Sequence, residues 1–431
     1  MKKVALYMVL AVLVGCVSTE RKGGDSAEFV RVENGQFMIG DSVYRFVGTN
    51  FWYGPILASE GRGGNRERLS AELDMLQENG INNLRILVGA DGEENLPTHI
   101  MPVLQSRPGV YNDTLLAGLD YLLAELEKRD MKAVLYFNNA WEWSGGYGTY
   151  LEWAGAGKAP DPNLDGYKEY VDHVAHFVVN DSAKRFAADH VKFIVSRTNR
   201  YTQSPYSESP AIMAWQICNE PRPFARDSVT KEAFADWIAS QAALIKSLDP
   251  NHLVSTGSEG KYGCEYDIDL WARIHADENI DYGLIHLWPC NWQWVERSAV
   301  TDSVDVACRE SYEYIKPHRE LMNRIGKPLV LEEFGYPRDG FTFALGSETS
   351  ARDRFYEYVF IMMNDDNLFD GCNFWGWGGL ATPSDTNWRF GADYTCDPAH
   401  EPQGMYSVFA GDSTTIAVIR AAAKACTTAA E

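Results

Sequence analysis

Two buried apolar segments, each ending on a glutamate, constrain the fold of this 431-residue chain most strongly. Residues 212–221 read Ile-Met-Ala-Trp-Gln-Ile-Cys-Asn-Glu-Pro and place Glu220 at the end of a strand. Residues 328–335 read Pro-Leu-Val-Leu-Glu-Glu-Phe-Gly and place Glu333 in the same position of a second strand. In a (β/α)8 barrel the carboxyl ends of all strands meet on one face. The sequence therefore predicts that the two glutamates face each other across the top of a barrel.

Strand-like and helix-like segments alternate along the chain, as a parallel barrel requires. We expect strands at residues 44–50, 82–88, 132–137, 211–218, 253–256, 282–287, 329–333 and 370–375. Helical patterns lie at residues 67–77, 115–128, 184–196, 231–247, 312–325 and 351–363. A doubly wound open sheet is the alternative, but no Gly-x-Gly-x-x-Gly motif follows an early strand. The predicted fold class is α/β, a (β/α)8 TIM barrel with long loop insertions at the carboxyl-terminal face.

We expect the chain to divide into a signal peptide (1–15), a flexible tether (16–28) and a barrel that would carry the catalytic residues (29–431). A hairpin around Asn34-Gly35 is expected to close the bottom of the barrel. The barrel segment exceeds the roughly 250 residues of a minimal barrel, so the excess must lie in loops. The most suggestive loop, residues 138–164, follows the third strand and carries Trp141, Trp143 and Trp153.

Charge and aromatic content narrow the classes of ligand. The formal net charge of −21 argues against nucleic acid as a partner, because phosphates must be met by Lys and Arg. An acidic surface on an exported, monomeric protein is expected instead. The chain has 13 Trp, whereas a plain barrel core prefers Val, Ile and Leu. This surplus is typical of a cleft where sugar faces stack on rings, although core packing is the alternative for any single Trp.

The amino terminus reads as a targeting segment. Lys2 and Lys3 precede an apolar stretch, residues 4–14, that is too short to span a membrane as a mature helix. The sequence Leu13-Val14-Gly15-Cys16 resembles the lipobox of bacterial lipoproteins, which implies a lipid anchor at Cys16 on the outer membrane or cell surface. A plain secretory signal, giving a secreted or periplasmic protein, is the alternative.

The other cysteines do not suggest a metal centre. An exported setting permits disulfides, but an odd number leaves at least one thiol unpaired and the connectivity open. No Cys-x-x-Cys or His-x-x-x-His spacing indicates a zinc site, so neither a metal nor a cofactor is expected. The seven cysteines after Cys16 are Cys218, Cys264, Cys290, Cys308, Cys372, Cys396 and Cys426.

A pair of facing carboxyls matches the chemistry of glycoside hydrolysis. A retaining mechanism needs two carboxyls about 5–5.5 Å apart, one protonated as general acid and one ionised as nucleophile. Burial and like charge are expected to raise the pKa of Glu220. Glu333 is expected to stay ionised if Arg85 reaches its carboxylate, the alternative for Arg85 being a structural salt bridge.

Six motifs in the order of the predicted strand ends resemble glycoside hydrolase family 5 of clan A, and within it the β-mannanase and β-mannosidase subfamily. This resemblance covers residues 29–425 and implies an acid/base, Glu220, after strand four and a nucleophile, Glu333, on strand seven. The motifs are Asn-Asn-Leu-Arg (82–85), Trp-Gln-Ile-Cys-Asn-Glu-Pro-Arg (215–222), Ser-Glu-Gly (258–260), His-Leu-Trp-Pro-Cys-Asn-Trp (286–292), Leu-Glu-Glu-Phe-Gly (331–335) and Asn-Phe-Trp-Gly-Trp-Gly-Gly (373–379).

The choice between the adjacent Glu332 and Glu333 rests on two arguments. Neighbouring side chains of a strand point to opposite sides, and the family motif has its nucleophile directly before the aromatic-Gly pair. Both select Glu333 and leave Glu332 in a supporting or structural position.

The resemblance also implies roles for surrounding residues. Asn219 is expected to donate to the 2-hydroxyl of the sugar in the −1 subsite, and His286 to position the nucleophile or that sugar. Trp288 departs from the commoner His-x-Tyr pattern, so only an indole N–H is available and the role of that position stays open. Trp375 is expected to form the subsite floor. Candidates for binding neighbouring sugars are Arg222, Glu259, Trp292 and Trp141, with Trp52 as a further aromatic wall residue whose alternative is core packing.

The leading hypothesis is a retaining hydrolase of β-1,4-mannosidic linkages in mannan, glucomannan or galactomannan, acting within chains. An exo-acting β-mannosidase is an alternative if the 138–164 loop blocks the distal minus subsites. A β-1,4-glucanase and a non-catalytic glycan-binding lipoprotein are further alternatives. A pure binder has no need of a proton donor, which argues against the last of these.

Overall fold

A computed structural model describes residues 28–94, 96, 98–384 and 387–428 of the chain. Its strands are, in chain order, β1 (Arg31–Glu33), β2 (Gln36–Ile39), β3 (Ser42–Val43), β4 (Phe46–Asn50), β5 (Asn83–Leu87), β6 (Gln105–Arg107), β7 (Val110–Tyr111), β8 (Lys132–Tyr136), β9 (Ile212–Gln216), β10 (Leu253–Ser255), β11 (Gly283–Leu287), β12 (Leu329–Phe334), β13 (Gly371–Phe374), β14 (Trp377–Gly379) and β15 (Val408–Phe409).

Helices surround the barrel, and side-chain caps fix the start of several of them. Asn65, Asn112 and Asp227, for example, each accept a hydrogen bond from a backbone N–H of the first turn that they precede. The helices are α1 (Gly54–Leu57), α2 (Arg66–Glu78), α3 (Asp113–Lys128), α4 (Gly146–Trp153), α5 (Tyr167–Val174), α6 (Asp181–Val195), α7 (Ser228–Leu248), α8 (Ile268–His275), α9 (Val304–Ile325), α10 (Ser350–Asn364) and α11 (Ser413–Thr428).

Eight parallel strands form the barrel, in the order β10-β9-β8-β5-β4-β13-β12-β11. The two end strands meet through backbone hydrogen bonds: the N–H of Asp281 donates to the carbonyl of Val254 over 2.9 Å, and that of His286 to the carbonyl of Glu259 over 3.2 Å. The predicted (β/α)8 fold is confirmed, and each strand end lies within two residues of its predicted position. The continuous apolar runs account for this, because every barrel strand is buried along its whole length.

The small sheet β1-β2-β3 covers the amino-terminal end of the barrel, as the Asn34-Gly35 turn predicts. Phe37 of β2 packs edge-on against Tyr282, with ring centroids 5.2 Å apart, and also against Phe46 at the start of β4. These rings belong to a separate apolar cluster that fills the bottom of the barrel. The sheet therefore closes this end and leaves the opposite, carboxyl-terminal end open.

Two predicted features are refined by the structure. The six predicted helices are present, but α9 begins at Val304 rather than at residue 312. The 138–164 segment is not a plain loop, because it contains a 3-10 turn (Glu142–Ser144) and α4. Trp153 at the end of α4 packs edge-on against Tyr150 and Phe186, away from the predicted cleft.

The seven cysteines after Cys16 are all buried free thiols. Cys16 and the rest of the predicted signal lie outside the described residues. Within the described part of the chain, no helix combines the length and the apolar composition needed to cross a membrane.

Candidate active site

A cleft of about 550 Å³ opens at the carboxyl-terminal end of the barrel. The two predicted catalytic glutamates lie in it together with most of the predicted sugar-binding side chains. The predicted residues that line it are Glu220, Glu333, Asn219, Trp288, Trp375, Trp141, Arg222, Glu259 and Trp292. The site is therefore located where the strand-end motifs predict it.

Backbone hydrogen bonds to both neighbouring segments hold Glu220 beyond the end of β9. The N–H of Asn219 donates to the carbonyl of Asn138 over 2.7 Å, and the N–H of Glu220 to that of Gly257 over 3.0 Å. Glu220 itself has a φ of +49°, an uncommon conformation for a non-glycine residue that turns the chain at this point. A Cβ at Gly257 would lie 1.7 Å from the carbonyl oxygen of Cys218, so only glycine fits there.

A β-bulge at the end of β12 changes the orientation expected for Glu332. Ile285 of β11 pairs with Leu331, but the next residue, His286, pairs with Glu333, so Glu332 is skipped in the register. Strand alternation predicts that adjacent glutamates point to opposite sides, and this expectation is wrong here. Both carboxylates lie against Arg85, because the extra residue of the bulge breaks the alternation.

Arg85 is fully buried beneath the cleft and organises the carboxylates above it. Its Nη1 pairs with Glu333 Oε1, and its Nη2 donates to Asn219 Oδ1 over 2.8 Å. Further bonds run to Asn50 Oδ1 (3.0 Å) and Gln216 Oε1 (2.9 Å). The planar guanidinium is thus held in one orientation, as the expected contact with Glu333 requires.

His286 lies between the two catalytic candidates. Its Nδ1 is 2.8 Å from Glu220 Oε1 and 3.3 Å from Glu333 Oε2. Burial lowers the pKa of this imidazole well below its usual value, and the nearby Arg85 lowers it further, so the ring is neutral. One oxygen of each glutamate and this nitrogen all lie within 4.8 Å of one another. In geometry they could hold a metal ion, but the guanidinium of Arg85 disfavours a second cation beside Glu333.

Trp288 reaches the residue that the family tyrosine would contact. Its indole Nε1–H donates to Glu333 Oε2 over 3.3 Å. Trp288 thus places an N–H donor on the oxygen of Glu333 that Arg85 does not contact and that His286 also approaches. The ring also packs edge-on against Trp375, with centroids 6.0 Å apart.

The two glutamates differ in their surroundings. Burial raises the pKa of Glu220, and the positive charge of Arg222 acts in the opposite direction. Burial also raises the pKa of Glu333, opposed by Arg85, and the charge of Glu220 adds to the rise. Because two carboxyls this close resist double ionisation, the pair tends to share one proton.

Aromatic rings and an ion pair line the rest of the cleft. Trp141 donates its Nε1–H to Glu220 Oε2 over 2.5 Å, and the guanidinium of Arg222 lies 5.4 Å from its ring centroid. Arg222 also pairs with Glu259, whose pKa burial raises to about 7. Trp375, only 4% exposed, closes the base of the cleft beside Trp288.

Trp52 does not reach the cleft, contrary to its expected role as a wall residue. It is 3% exposed, and its Nε1–H donates to the carbonyl of Cys396 over 2.8 Å. Its ring packs behind Trp143, with centroids 5.7 Å apart. Core packing, the alternative for this residue, is therefore the correct interpretation.

Several cleft residues were not identified from the sequence. Burial raises the pKa of Glu142 to about 7 and that of Glu401 to about 8. Tyr167, at the start of α5, is more than half exposed at the cleft mouth with its ring near that of Trp141. Glu401 lies in an irregular loop, Glu142 in a 3-10 turn and Tyr167 at the start of a helix, and none of them belongs to a predicted motif. Asn163, His400 and Tyr406 also line the cleft without having been predicted. Trp143 and Asn291, which lie in the predicted loop and in the 286–292 motif, line it as well.

Residues 27–431 match the family described as GH family 5 beta-mannosidase-like. This match covers the whole barrel, so the chain belongs to the β-mannosidase-like group of glycoside hydrolase family 5. The fold and the facing glutamates agree with that membership.

Individual relatives include mannosidases and mannanases. A glycoside hydrolase family 5 mannosidase from Rhizomucor miehei has a TM-score of 0.85 and 31% identity, covering 94% of this chain and 99% of the other. Mannan endo-1,4-beta-mannosidase 7 of Arabidopsis thaliana is 29% identical over 350 residues, 78% of this chain and 75% of the relative. The endo-beta-1,4-mannanase of Thermotoga petrophila has a TM-score of 0.69 and 25% identity, covering 91% and 78%.

Proposed function

We propose that this protein hydrolyses β-1,4-mannosidic bonds of mannan-type polysaccharides with retention of configuration. The observation that carries the proposal is the spacing of Glu220 and Glu333, which present carboxylate oxygens within 4.8 Å of each other. Retaining glycosidases hold their two carboxyls about 5–5.5 Å apart, whereas inverting enzymes need about 6.5–9.5 Å to admit a water.

The surroundings of each carboxyl assign its role. Arg85 and Trp288 both donate to Glu333, which favours its ionised form and suits a nucleophile. In the described part of the chain no arginine forms an ion pair with Glu220, whereas Arg85 pairs with Glu333. Burial raises the pKa of both carboxyls, so the guanidinium of Arg85 is what separates them. The shared proton is therefore assigned to Glu220.

Two steps follow from this assignment. Glu220 donates its proton to the glycosidic oxygen while Glu333 attacks C1, which breaks the C1–O bond and forms a mannosyl ester. Glu220, now ionised, then takes a proton from water, whose oxygen attacks C1 and releases Glu333. His286, neutral and in contact with both carboxyls, keeps them in place through both steps.

Mannan is supported as the substrate by the names of the relatives and by the residues around C2. Asn219 is oriented by two bonds, accepting from Arg85 and donating to Asn139 Oδ1 over 3.1 Å. Its amide faces the cleft, where it can reach the 2-hydroxyl, which is axial in mannose and equatorial in glucose.

Cleavage within chains is the mode that the names of the Arabidopsis and Thermotoga relatives state. A specific observation favours release of single units from a chain end as a second candidate. Thr98 donates to Asp161 over 2.7 Å, and the N–H of Ile100 donates to the carbonyl of Trp143 over 2.8 Å. Tyr394 in turn donates to the carbonyl of Met101. Segments after β5, β8 and β14 are thereby joined to one another, and Trp143 and Asn163 of the middle segment line one side of the cleft as its wall.

Product analysis on mannohexaose tests both the activity and its mode. Early mixtures of mannobiose and mannotriose indicate cleavage within the chain, and mannose as the sole early product indicates action from an end. Cellohexaose is the matched control, because a β-1,4-glucanase would cleave it at a comparable rate. Binding of mannohexaose without cleavage would contradict the proposal and support a glycan-binding protein.

We also propose that the protein is exported and held at a membrane by lipid on Cys16. The support is sequence-based: a basic start, a short apolar run and the Leu-Val-Gly-Cys motif. Two acyl chains on one residue give stable membrane residence, whereas a single chain gives marginal binding.

A further inference from the structure

Glu332 is a fully buried carboxylate beside the proposed nucleophile, and the mechanism above gives it no role. Its Oε2 lies 3.3 Å from Arg85 Nε and accepts a 2.6 Å hydrogen bond from Gln216 Nε2. Its Oε1 has no hydrogen-bond partner among the described residues. Burial raises the pKa of Glu332, and the guanidinium of Arg85, which also serves Glu333, and the hydrogen bond from Gln216 oppose this rise.

Gln216 links Glu332 to Arg85 and fixes their arrangement. Its Oε1 accepts from Arg85 Nε over 2.9 Å, while its Nε2 donates both to Glu332 and to Ser255 Oγ, the latter over 3.1 Å. One guanidinium therefore faces two carboxylates, Glu332 at its Nε side and Glu333 at its Nη1. The bulge in β12 makes this possible, since regular alternation would direct Glu332 away.

The charge balance of this cluster determines the basicity of Glu333. Arg85 alone would stabilise the Glu333 anion and lower both its proton affinity and its nucleophilicity. The negative charge of Glu332 beside the same guanidinium opposes this lowering of the proton affinity of Glu333. Other titratable groups that act on the two glutamates from neighbouring elements are Glu220, His286, Tyr136, Tyr282 and Cys396.

We propose that Glu332 is a positioning residue that remains ionised, takes part of the charge of Arg85, and so keeps Glu333 basic enough to attack the sugar. This inference rests on the proposed function, because it presumes that Glu333 is the nucleophile. It adds a residue that acts on Glu333 by its charge, both directly and by way of Arg85, and that is not among the residues that line the cleft.

The test compares Glu332→Gln, which removes the charge, with Glu332→Asp, which keeps it. Titration of ¹³C-labelled glutamate carboxyls by NMR gives the pKa of Glu333 directly, its signal being identified by its loss in Glu333→Gln. We expect Glu332→Gln to lower the pKa of Glu333 by about one unit, the order of effect of one nearby like charge. Glu332→Asp should leave it closer to the wild-type value, and the acid limb of kcat/KM on an aryl β-mannoside should move in the same way.

An unchanged pKa of Glu333 in folded Glu332→Gln would overturn the inference, as would an equal shift in Glu332→Asp. If Glu332→Gln does not fold, the ¹³C spectrum of the wild type still tests the proposal. A Glu332 carboxyl that is protonated at neutral pH would contradict it. The NMR readout needs no substrate. A wild type that leaves mannosides intact would therefore refute the proposed function without deciding the role of Glu332.

Discussion

Trp141 donates its indole N–H to Glu220 Oε2 over 2.5 Å, which ties the loop after β8 to the proposed acid. A hydrogen bond to a carboxylate favours its ionised form, so this bond lowers the pKa of Glu220 against the effect of burial. The loop after β8 therefore lowers the pKa of Glu220 in addition to lining the cleft.

Replacing Trp141 with phenylalanine should shift the alkaline limb of the pH profile of kcat/KM to higher pH. Loss of the donor disfavours the Glu220 anion, its pKa rises, and the protonated acid persists to higher pH, by about half a unit to one unit. The measurement is the pH dependence of kcat/KM on an aryl β-mannoside. Trp143→Phe is the control, because Trp143 lines the same cleft but packs against Trp375. If the alkaline limb does not move in Trp141→Phe, or moves equally in Trp143→Phe, the hydrogen bond from Trp141 does not lower the pKa of Glu220.

Gly257→Ala should destabilise the protein and displace Glu220. The added Cβ meets the carbonyl oxygen of Cys218, and φ at Gly257 is +84°. We expect a loss of more than about 2 kcal/mol in the free energy of unfolding, because both strain and overpacking act. Gly326→Ala is the matched control: its φ is +82°, but no atom lies within 4 Å of its added Cβ. That variant should lose about 1 kcal/mol, because a Cβ is disfavoured at a left-handed φ but nothing is overpacked. Denaturant unfolding of both variants checks this, and equal losses would show that the close contact is unimportant.

Shortening residues 156–165 should change the products if the wall sets the cleavage mode. This segment contributes Pro162 and Asn163 to the cleft, and Asp161 accepts from Thr98 across the wall. Removing all of 138–164 would be uninformative, since that would also remove Trp141 and α4. We expect the shortened variant to release longer early products from mannohexaose. Lys158→Ala, which changes an exposed position in the same segment, is the control and should give the wild-type product pattern. An unchanged product profile in the shortened variant would exclude the segment from any role in mode.

Cys16→Ala should either block processing of the signal or release soluble enzyme with the specific activity of the wild type. The reason is that the proposed anchor is attached only through that thiol. Fractionation of expressing bacteria, with a radiolabelled fatty acid, checks both outcomes. A wild type without label and a variant still in the membrane fraction would mean that Cys16 has no special role.

Much of this architecture could be predicted because its signals are local. Each barrel strand is a short apolar run, and Arg85, Glu220 and Glu333 are placed by the strands that carry them. Trp52 was misplaced because a tryptophan after a strand looks the same in sequence whether it faces the cleft or packs behind Trp143.

Other features depend on contacts between distant segments. The inward orientation of Glu332 follows from a register shift against β11, which the sequence of β12 alone does not indicate. Glu401, in an irregular segment, and Tyr167, at the start of α5, are far apart in the chain and meet in the cleft only through the packing of several segments. No periodic pattern marks such positions, so the wall of the cleft could not be predicted in the same way as its base.

The configuration of mannosyl azide formed by two variants tests the assignment of Glu220 and Glu333 most directly. Each of Glu333→Ala and Glu220→Ala should lose about 10³-fold or more in activity on mannan, and azide should restore turnover of an activated aryl β-mannoside. In Glu333→Ala azide replaces the nucleophile and attacks once, so NMR should show the α-azide. In Glu220→Ala azide attacks the mannosyl ester on Glu333, so the product should be the β-azide. The opposite pairing of variant and anomer, or wild-type activity in either variant without azide, would contradict the account.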